Sequence, residues 1–243
     1  MAEGLLTPED GKRMEDVGKA YLQALISRSF FQQSSTSYKS AMVMHDLVHD
    51  LAMFISGEFC FSCGDSNDLC NLGTKSCHLS YRKTSDVLMK LGAVSQSREK
   101  KLMSLRTLLA LPLSYDCPPD KPISLHDLFL KVGGCLRVLS LSESSITELP
   151  DSIGNMKYLR YLDLSDTLIK VLPDSICTFY NLQTLLLSGC RKLARLPTGL
   201  AALVNLHHLD IRASHGIKEM PPQMCKMKSL QTLSDFVLGE KDG

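Results

Sequence analysis

The sequence predicts an α/β solenoid: short units stacked on one another, sharing one leucine core, with a parallel sheet along the concave side and a small, mainly helical domain in front. Two observations carry this. Leu-x-x-Leu-x-Leu/Ile recurs at Leu136-x-x-Leu139-x-Leu141, Leu159-x-x-Leu162-x-Leu164, Leu182-x-x-Leu185-x-Leu187 and Leu206-x-x-Leu209-x-Ile211, with first leucines 23 or 24 residues apart, and Leu230-x-x-Leu233 follows one period later. Each unit then continues with an apolar residue and a Leu-Pro or Met-Pro step: Ile146/Leu149-Pro150, Ile169/Leu172-Pro173, Leu193/Leu196-Pro197 and Ile217/Met220-Pro221. A third apolar layer falls at Ile153, Ile176, Leu200 and Met224. One leucine-rich helix is excluded, because the pattern is not 3.6-periodic and prolines recur inside it.

This is a leucine-rich-repeat period. Each unit reads as a short strand with its leucines inward, a turn, and an irregular return whose prolines disfavour regular helix. A single unit cannot bury its leucines, so burial requires stacking. Alternation then turns the intervening side chains to the concave face: Val138, Ser140 and Ser142, then Tyr161, Asp163 and Ser165, then Thr184, Leu186 and Ser188, then His208, Asp210 and Arg212. Stacking aligns Ser140, Asp163, Leu186 and Asp210 in one row and Val138, Tyr161, Thr184 and His208 in the next. Such a varied concave array suits protein partners. At the turns, Ser144, Thr167, Cys190 and Ser214 carry small polar side chains suited to hydrogen-bonding the turning backbone.

In front of the repeats, Thr7-Pro8-Glu9-Asp10 reads as a helix start, and Val17, Ala20, Tyr21, Ala24, Leu25 and Ile26 favour one face of a helix over 15–28. A polar turn at Ser34-Ser35-Thr36-Ser37 leads to a strand over 38–44 and a second helix over 45–55, with Leu47, Leu51 and Phe54/Ile55 expected as its buried face. Helix, loop, strand and helix within about fifty residues describe part of a winged-helix unit. The boundaries expected are a winged-helix end over 1–58, a polar linker over 59–76, an irregular cap with first repeats over 77–135, and regular repeats over 136–243, truncated at the C-terminus. Within the cap, strands are expected over 76–81 and 104–109, helices over 84–91 and 125–132, and a loop at Cys117 to Pro122; the 31-residue step from Leu105 to Leu136 implies an insertion. Leu230 to Leu238 opens a further strand without a polar cap, which predicts self-association through that end.

Composition narrows the function. With 27 basic against 26 acidic residues, nothing draws the whole chain to nucleic acid or an anionic membrane. No run of eighteen apolar residues and no secretory leader occur, so no transmembrane segment and a cytoplasmic location are expected. Nine irregularly spaced cysteines fit reduced thiols. Cys60-x-x-Cys63, Cys70 and Cys77-His78 lack the spacings of a zinc finger or ribbon, and Cys60 between Phe59 and Phe61 reads as a buried thiol, so no metal site is expected. Gly-x-Ser-x-Gly is lacking, so no catalytic residue and no enzyme are expected.

Met1-Ala2-Glu3-Gly4, Glu15-Asp16-Val17-Gly18, Ser27-Arg28-Ser29-Phe30-Phe31-Gln32 and Met44-His45-Asp46-Leu47-Val48-His49-Asp50-Leu51-Ala52, followed by the repeats, resemble plant nucleotide-binding leucine-rich-repeat (NB-ARC) disease-resistance proteins of the coiled-coil class. The resemblance implies that Met44, His45 and Asp46 form a nucleotide-sensing motif whose histidine contacts the phosphate of ADP. It also implies that the solenoid packs on the nucleotide switch of a full-length receptor and recognises a pathogen effector or a guarded host protein. Local chemistry is compatible: a histidine at a helix N-terminus sits where a phosphate oxygen is favoured, and the helix dipole favours Asp46 in the first turn. Gly-x-x-x-x-Gly-Lys-Ser/Thr is missing, so this chain is expected to be a fragment with no cofactor of its own, ADP or ATP belonging to the full-length family. Isolated, it should show no saturable ADP binding. The alternative from another class is a free-standing repeat adaptor without a nucleotide switch. Nucleic-acid binding is disfavoured, since His45, Asp46, His49 and Asp50 come with no Lys or Arg on the candidate recognition helix.

Overall fold

The computed structural model describes residues 2–6, 12–34, 41–64, 68–73, 75–82, 85–92, 102–111, 125–132 and 134–237. The chain forms two compact units, Met1–Glu58 and Phe59–Gly243.

The first unit contains α1 (Met14–Ser27), β1 (Phe31–Ser34), β2 (Ala41–Met44) and α2 (Asp46–Ser56). The expected helix start at 7–10 and most of the polar turn, 35–37, lie outside the described residues; Ser34 itself ends β1. β1 and β2 pair antiparallel, Phe31 opposite Met44. The buried face expected for α2 is not found: Leu47 is 74% exposed, Leu51 54%, Phe54 85% and Ile55 70%, and no residue of this helix is buried. α1 buries Val17 alone. The reason is layer count: among the described residues, two helices and a two-stranded ribbon are too few layers to cover both helices' apolar faces.

The second unit is built on an eight-stranded sheet in sequence order, all neighbours parallel: β3 (Cys60–Cys63), β4 (His78–Arg82), β5 (Thr107–Leu111), β6 (Val138–Ser140), β7 (Tyr161–Asp163), β8 (Thr184–Leu186), β9 (His208–Asp210) and β10 (Thr232–Leu233). The register advances by one repeat at each step, Leu139 opposite Leu162, Leu185 and Leu209 in turn. Those leucines, with Leu136, Leu159, Leu182 and Leu206 before them and Leu141, Leu164, Leu187 and Ile211 after, are 0–2% exposed. They make three unbroken columns, each full leucine burial contributing roughly 1.5–3 kcal/mol against exposure.

The return segments follow from the prolines. Pro150, Pro173 and Pro197 sit with φ near −73°, −69° and −58° immediately before five-residue 3₁₀ turns, Asp151–Asn155, Asp174–Thr178 and Thr198–Ala202. Proline fixes φ there and cannot continue a regular helix backwards. Each turn delivers Ile153, Ile176 or Leu200 to the core and closes on buried Met156, Phe179 or Leu203.

Two expectations are corrected in the cap. Residues 59–76 are not a linker: Cys60–Cys63 is the first strand of the sheet, paired with His78–Tyr81, and Asp68–Asn71 forms a 3₁₀ turn with Leu69 and Leu72 buried. Polar, glycine-rich text concealed a degenerate repeat whose strand keeps only Phe61 half-buried and Cys63 fully buried. Cys60 is exposed rather than buried, on the opposite face of β3. α3 (Ser85–Gly92) and α4 (His126–Val132) lie near their expected positions, and the Cys117–Pro122 loop lies outside the described residues.

Candidate functional site

Two groups of residues are candidates, one in each unit. In the first, His45 is the N-cap of α2, with extended backbone (φ −61°, ψ 139°), and its own N–H donates to the Phe30 carbonyl at 3.4 Å. The Leu47 N–H donates to His45 Nδ1 at 3.3 Å. Histidine thus does the capping work usual for Ser, Asp or Asn. Because Nδ1 accepts, the neutral ring carries its proton on Nε2, leaving one outward donor on an exposed side chain. Asp46 is exposed in the first helical turn, and Met44, half-buried, pairs with Phe31 across the ribbon. The arrangement can offer a hydrogen bond to a phosphate oxygen at a helix N-terminus.

In the second unit, the parallel register aligns Val138, Tyr161, Thr184 and His208, and beside them Ser140, Asp163, Leu186 and Asp210. The first row continues to His78 and Thr107 on one side and Thr232 on the other. His78 Nδ1 lies 3.0 Å from Thr107 Oγ1, and His208 Nδ1 lies 3.2 Å from Thr232 Oγ1. Sequence reasoning missed His78 and Thr107, because neither of their strands, β4 and β5, carries a full Leu-x-x-Leu-x-Leu motif.

The carboxylates of this face are already engaged. Asp163 accepts from the Ser165 N–H at 3.0 Å and from Ser140 Oγ at 3.3 Å. Asp210 repeats the turn contact, accepting from the Arg212 N–H at 3.1 Å, and pairs with the Arg212 guanidinium at 2.6 Å. Hydrogen bonds from Arg212 hold the Asp210 carboxyl below the usual carboxylate range. Ser140 was expected to face a partner but is only 5% exposed, tucked beneath Asp163. Desolvation, then the charge of Asp163, pushes the Tyr161 phenol up to about 12, so it is a neutral donor at physiological pH. The face thus offers a partner five half-buried side chains, Tyr161, the imidazoles of His78 and His208, Thr184 and Leu186, beside the exposed, oriented Arg212 guanidinium.

A polar ladder fixes this face from behind. Thr167 Oγ1 donates to the Leu164 carbonyl at 2.7 Å, Cys190 Sγ donates to the same carbonyl at 3.0 Å, and Ser214 Oγ accepts from the Cys190 N–H at 3.1 Å. Burial raises the Cys190 thiol above its ordinary pKa, which makes it a structural donor instead of a nucleophile. After each strand the chain turns through a left-handed residue: Glu143, Asp166, Gly189 and Ala213, with φ of 54°, 56°, 72° and 56°. Among the described residues no group of three or more His, Cys, Asp and Glu could hold a metal ion. Cys60 and Cys63, three apart on one strand, point to opposite faces.

Residues 1–52 match the family model described as the disease resistance protein winged helix domain, and residues 92–235 match that of a leucine-rich repeat region. A disease-resistance protein of Arabidopsis thaliana is 42% identical over 98% of this chain, and RGA2 of Solanum bulbocastanum is 34% identical over 100% of it. The chain spans only 16% and 21% of the length of these two relatives. Among solved structures, the leucine-rich-repeat ectodomain of the Arabidopsis receptor kinase HAESA superposes with a TM-score of 0.46 at 19% identity, over 70% of this chain and 27% of that one. The winged-helix match is followed along this chain by the repeat match, and the chain belongs to the plant disease-resistance proteins with a leucine-rich-repeat region.

Proposed function

We propose that this chain serves as the junction of an intracellular plant immune receptor, where the end of a nucleotide switch meets the start of the recognition solenoid. The observation that carries the reading is the row of Tyr161, Thr184 and His208, presented in register on a rigid parallel sheet directly downstream of a disease-resistance winged helix. Its function is binding, not catalysis: Tyr161, Leu186, His208 and Arg212 form the recognition surface, and the partner is a pathogen effector or a host protein that effectors modify. His45, with its Nε2 donor outward, is the nucleotide-facing residue when a phosphate-binding loop is supplied elsewhere in the receptor.

Incorporation of a photo-cross-linking amino acid at Tyr161 or His208, in leaf cells challenged with a pathogen, tests this. The expected result is one dominant protein adduct that is missing when the same probe replaces exposed Glu219. Equal labelling at all three positions would remove the concave face as the recognition surface. Calorimetry of this chain with ADP is expected to give no saturable heat, and micromolar affinity would contradict the division of labour proposed for His45.

A further inference from the structure

Away from the concave sheet, the Leu-Pro steps of successive repeats enclose a continuous groove. Its first part, a cavity of about 530 Å³, is lined by Leu125 and His126 before and within α4, Glu148 to Asp151, Val171 and Pro173. The second, about 290 Å³, shares Val171 and Pro173 and runs on to Arg195, Leu196, Pro197 and Thr198. The floor is apolar: Leu125, Leu149, Leu172 and Leu196 are 1–6% exposed, while Val171 on the wall is 48% exposed.

Its acids lie in two consecutive repeats, with Arg195 at the far end and His126 at the near one. Glu148, Asp151 and Asp174 are exposed, and among the described residues no cation pairs with them. Asp151 and Asp174 occupy the same position of consecutive repeats, so their carboxylates form a column along the groove. The next repeat ends that column with Thr198, and Arg195 replaces the acid found at Glu148. Neither carboxylate is used by the fold, in contrast to Asp163 and Asp210, whose oxygens hold their own turns.

We propose that this groove docks an extended, basic protein segment in which cationic side chains alternate with apolar ones. The cations would meet Glu148, Asp151 and Asp174, and the apolar side chains would rest on Val171 and the proline wall. Arg195 sets the direction by repelling a cation at the far end. Exposed carboxylates that no internal cation neutralises favour such a ligand by steering and by specificity more than by raw affinity. This surface is separate from the Tyr161 row and can be occupied independently of it.

Fluorescence anisotropy at near-physiological salt, using this whole chain, tests the proposal with two labelled peptides of equal length, one alternating arginine and valine, the other glutamate and valine. Saturable binding is expected for the arginine peptide alone. The double variant Asp151→Lys, Asp174→Lys should weaken it at least tenfold, and Val171→Arg should do the same. Glu219→Lys, equivalent in repeat position to Glu148 but outside the groove, should leave it unchanged. All four sites are exposed, and matching circular dichroism spectra will confirm folding; Asp151→Asn with Asp174→Asn gives the milder second test. No saturable binding of the arginine peptide, or equal weakening by Glu219→Lys, would overturn the proposal.

Discussion

The two units differ in what their apolar residues meet. In β6 to β9, every leucine of the repeating motif is sealed by the repeats on either side. In α2 the apolar residues recur at helical spacing just as regularly, yet Leu47, Leu51, Phe54 and Ile55 stand largely in solvent. Periodicity identifies the face that seeks burial, whereas burial itself needs a neighbouring layer. The solenoid supplies that layer by repetition of its own chain; the first unit, among its described residues, does not.

The largest effect that would break this contrast is a leucine truncation. Leu162→Ala, at 0% exposure between two packed repeats, should cost about 2–5 kcal/mol by urea unfolding, while Leu51→Ala should stay within about 0.5 kcal/mol. Equal costs would mean that α2 is buried as deeply as the sheet. Next in size is Gly216→Ala, whose new Cβ would stand 2.5 Å from the Leu193 carbonyl oxygen and 3.0 Å from that of Arg191. Backbone cannot yield as a side chain can, so about 1–3 kcal/mol is expected. At Gly189 the clash would be with the Asp166 side chain, though the left-handed φ of 72° adds strain of its own.

Smaller again is Ser214→Ala, which removes the acceptor of the Cys190 N–H and should cost about 1–2 kcal/mol. The smallest effect is alkaline. The Tyr161 phenol is raised from 10.0 to about 12 in the folded chain, so its neutral form contributes stability in full below pH 10, and that contribution fades as pH rises from 10 through about 12. The free energy of unfolding, measured between pH 9 and 11, should therefore decline less steeply for Tyr161→Phe than for the parent chain.

Legibility followed the same divide. The repeats from Leu136 onward were readable because inward leucines, turn residues and prolines each recur at one spacing, so the concave rows could be written down with their register. For Ser140, alternation gives the direction of the side chain but not its burial, which comes with its hydrogen bond to Asp163 on the next strand. Cys60–Cys63 was hidden because its strand lacks leucines and borrows its place from β4. The Met44-His45-Asp46 segment was legible as a helix start, but the acceptor role of His45 Nδ1 depends on backbone geometry that no motif encodes. The flank groove left no mark in the text beyond the Leu-Pro-Asp repetition, whose prolines first read as turn chemistry alone.

Native-state hydrogen exchange tests the contrast most directly, since amides in sealed layers open only with global unfolding while those of an uncovered helix open locally. The amides bonded along Val138–Ser140, Tyr161–Asp163 and Thr184–Leu186 should exchange at the global limit, and those of Asp46–Ser56 at least about a hundredfold faster. Equal protection of the helix and the three strands would contradict the account.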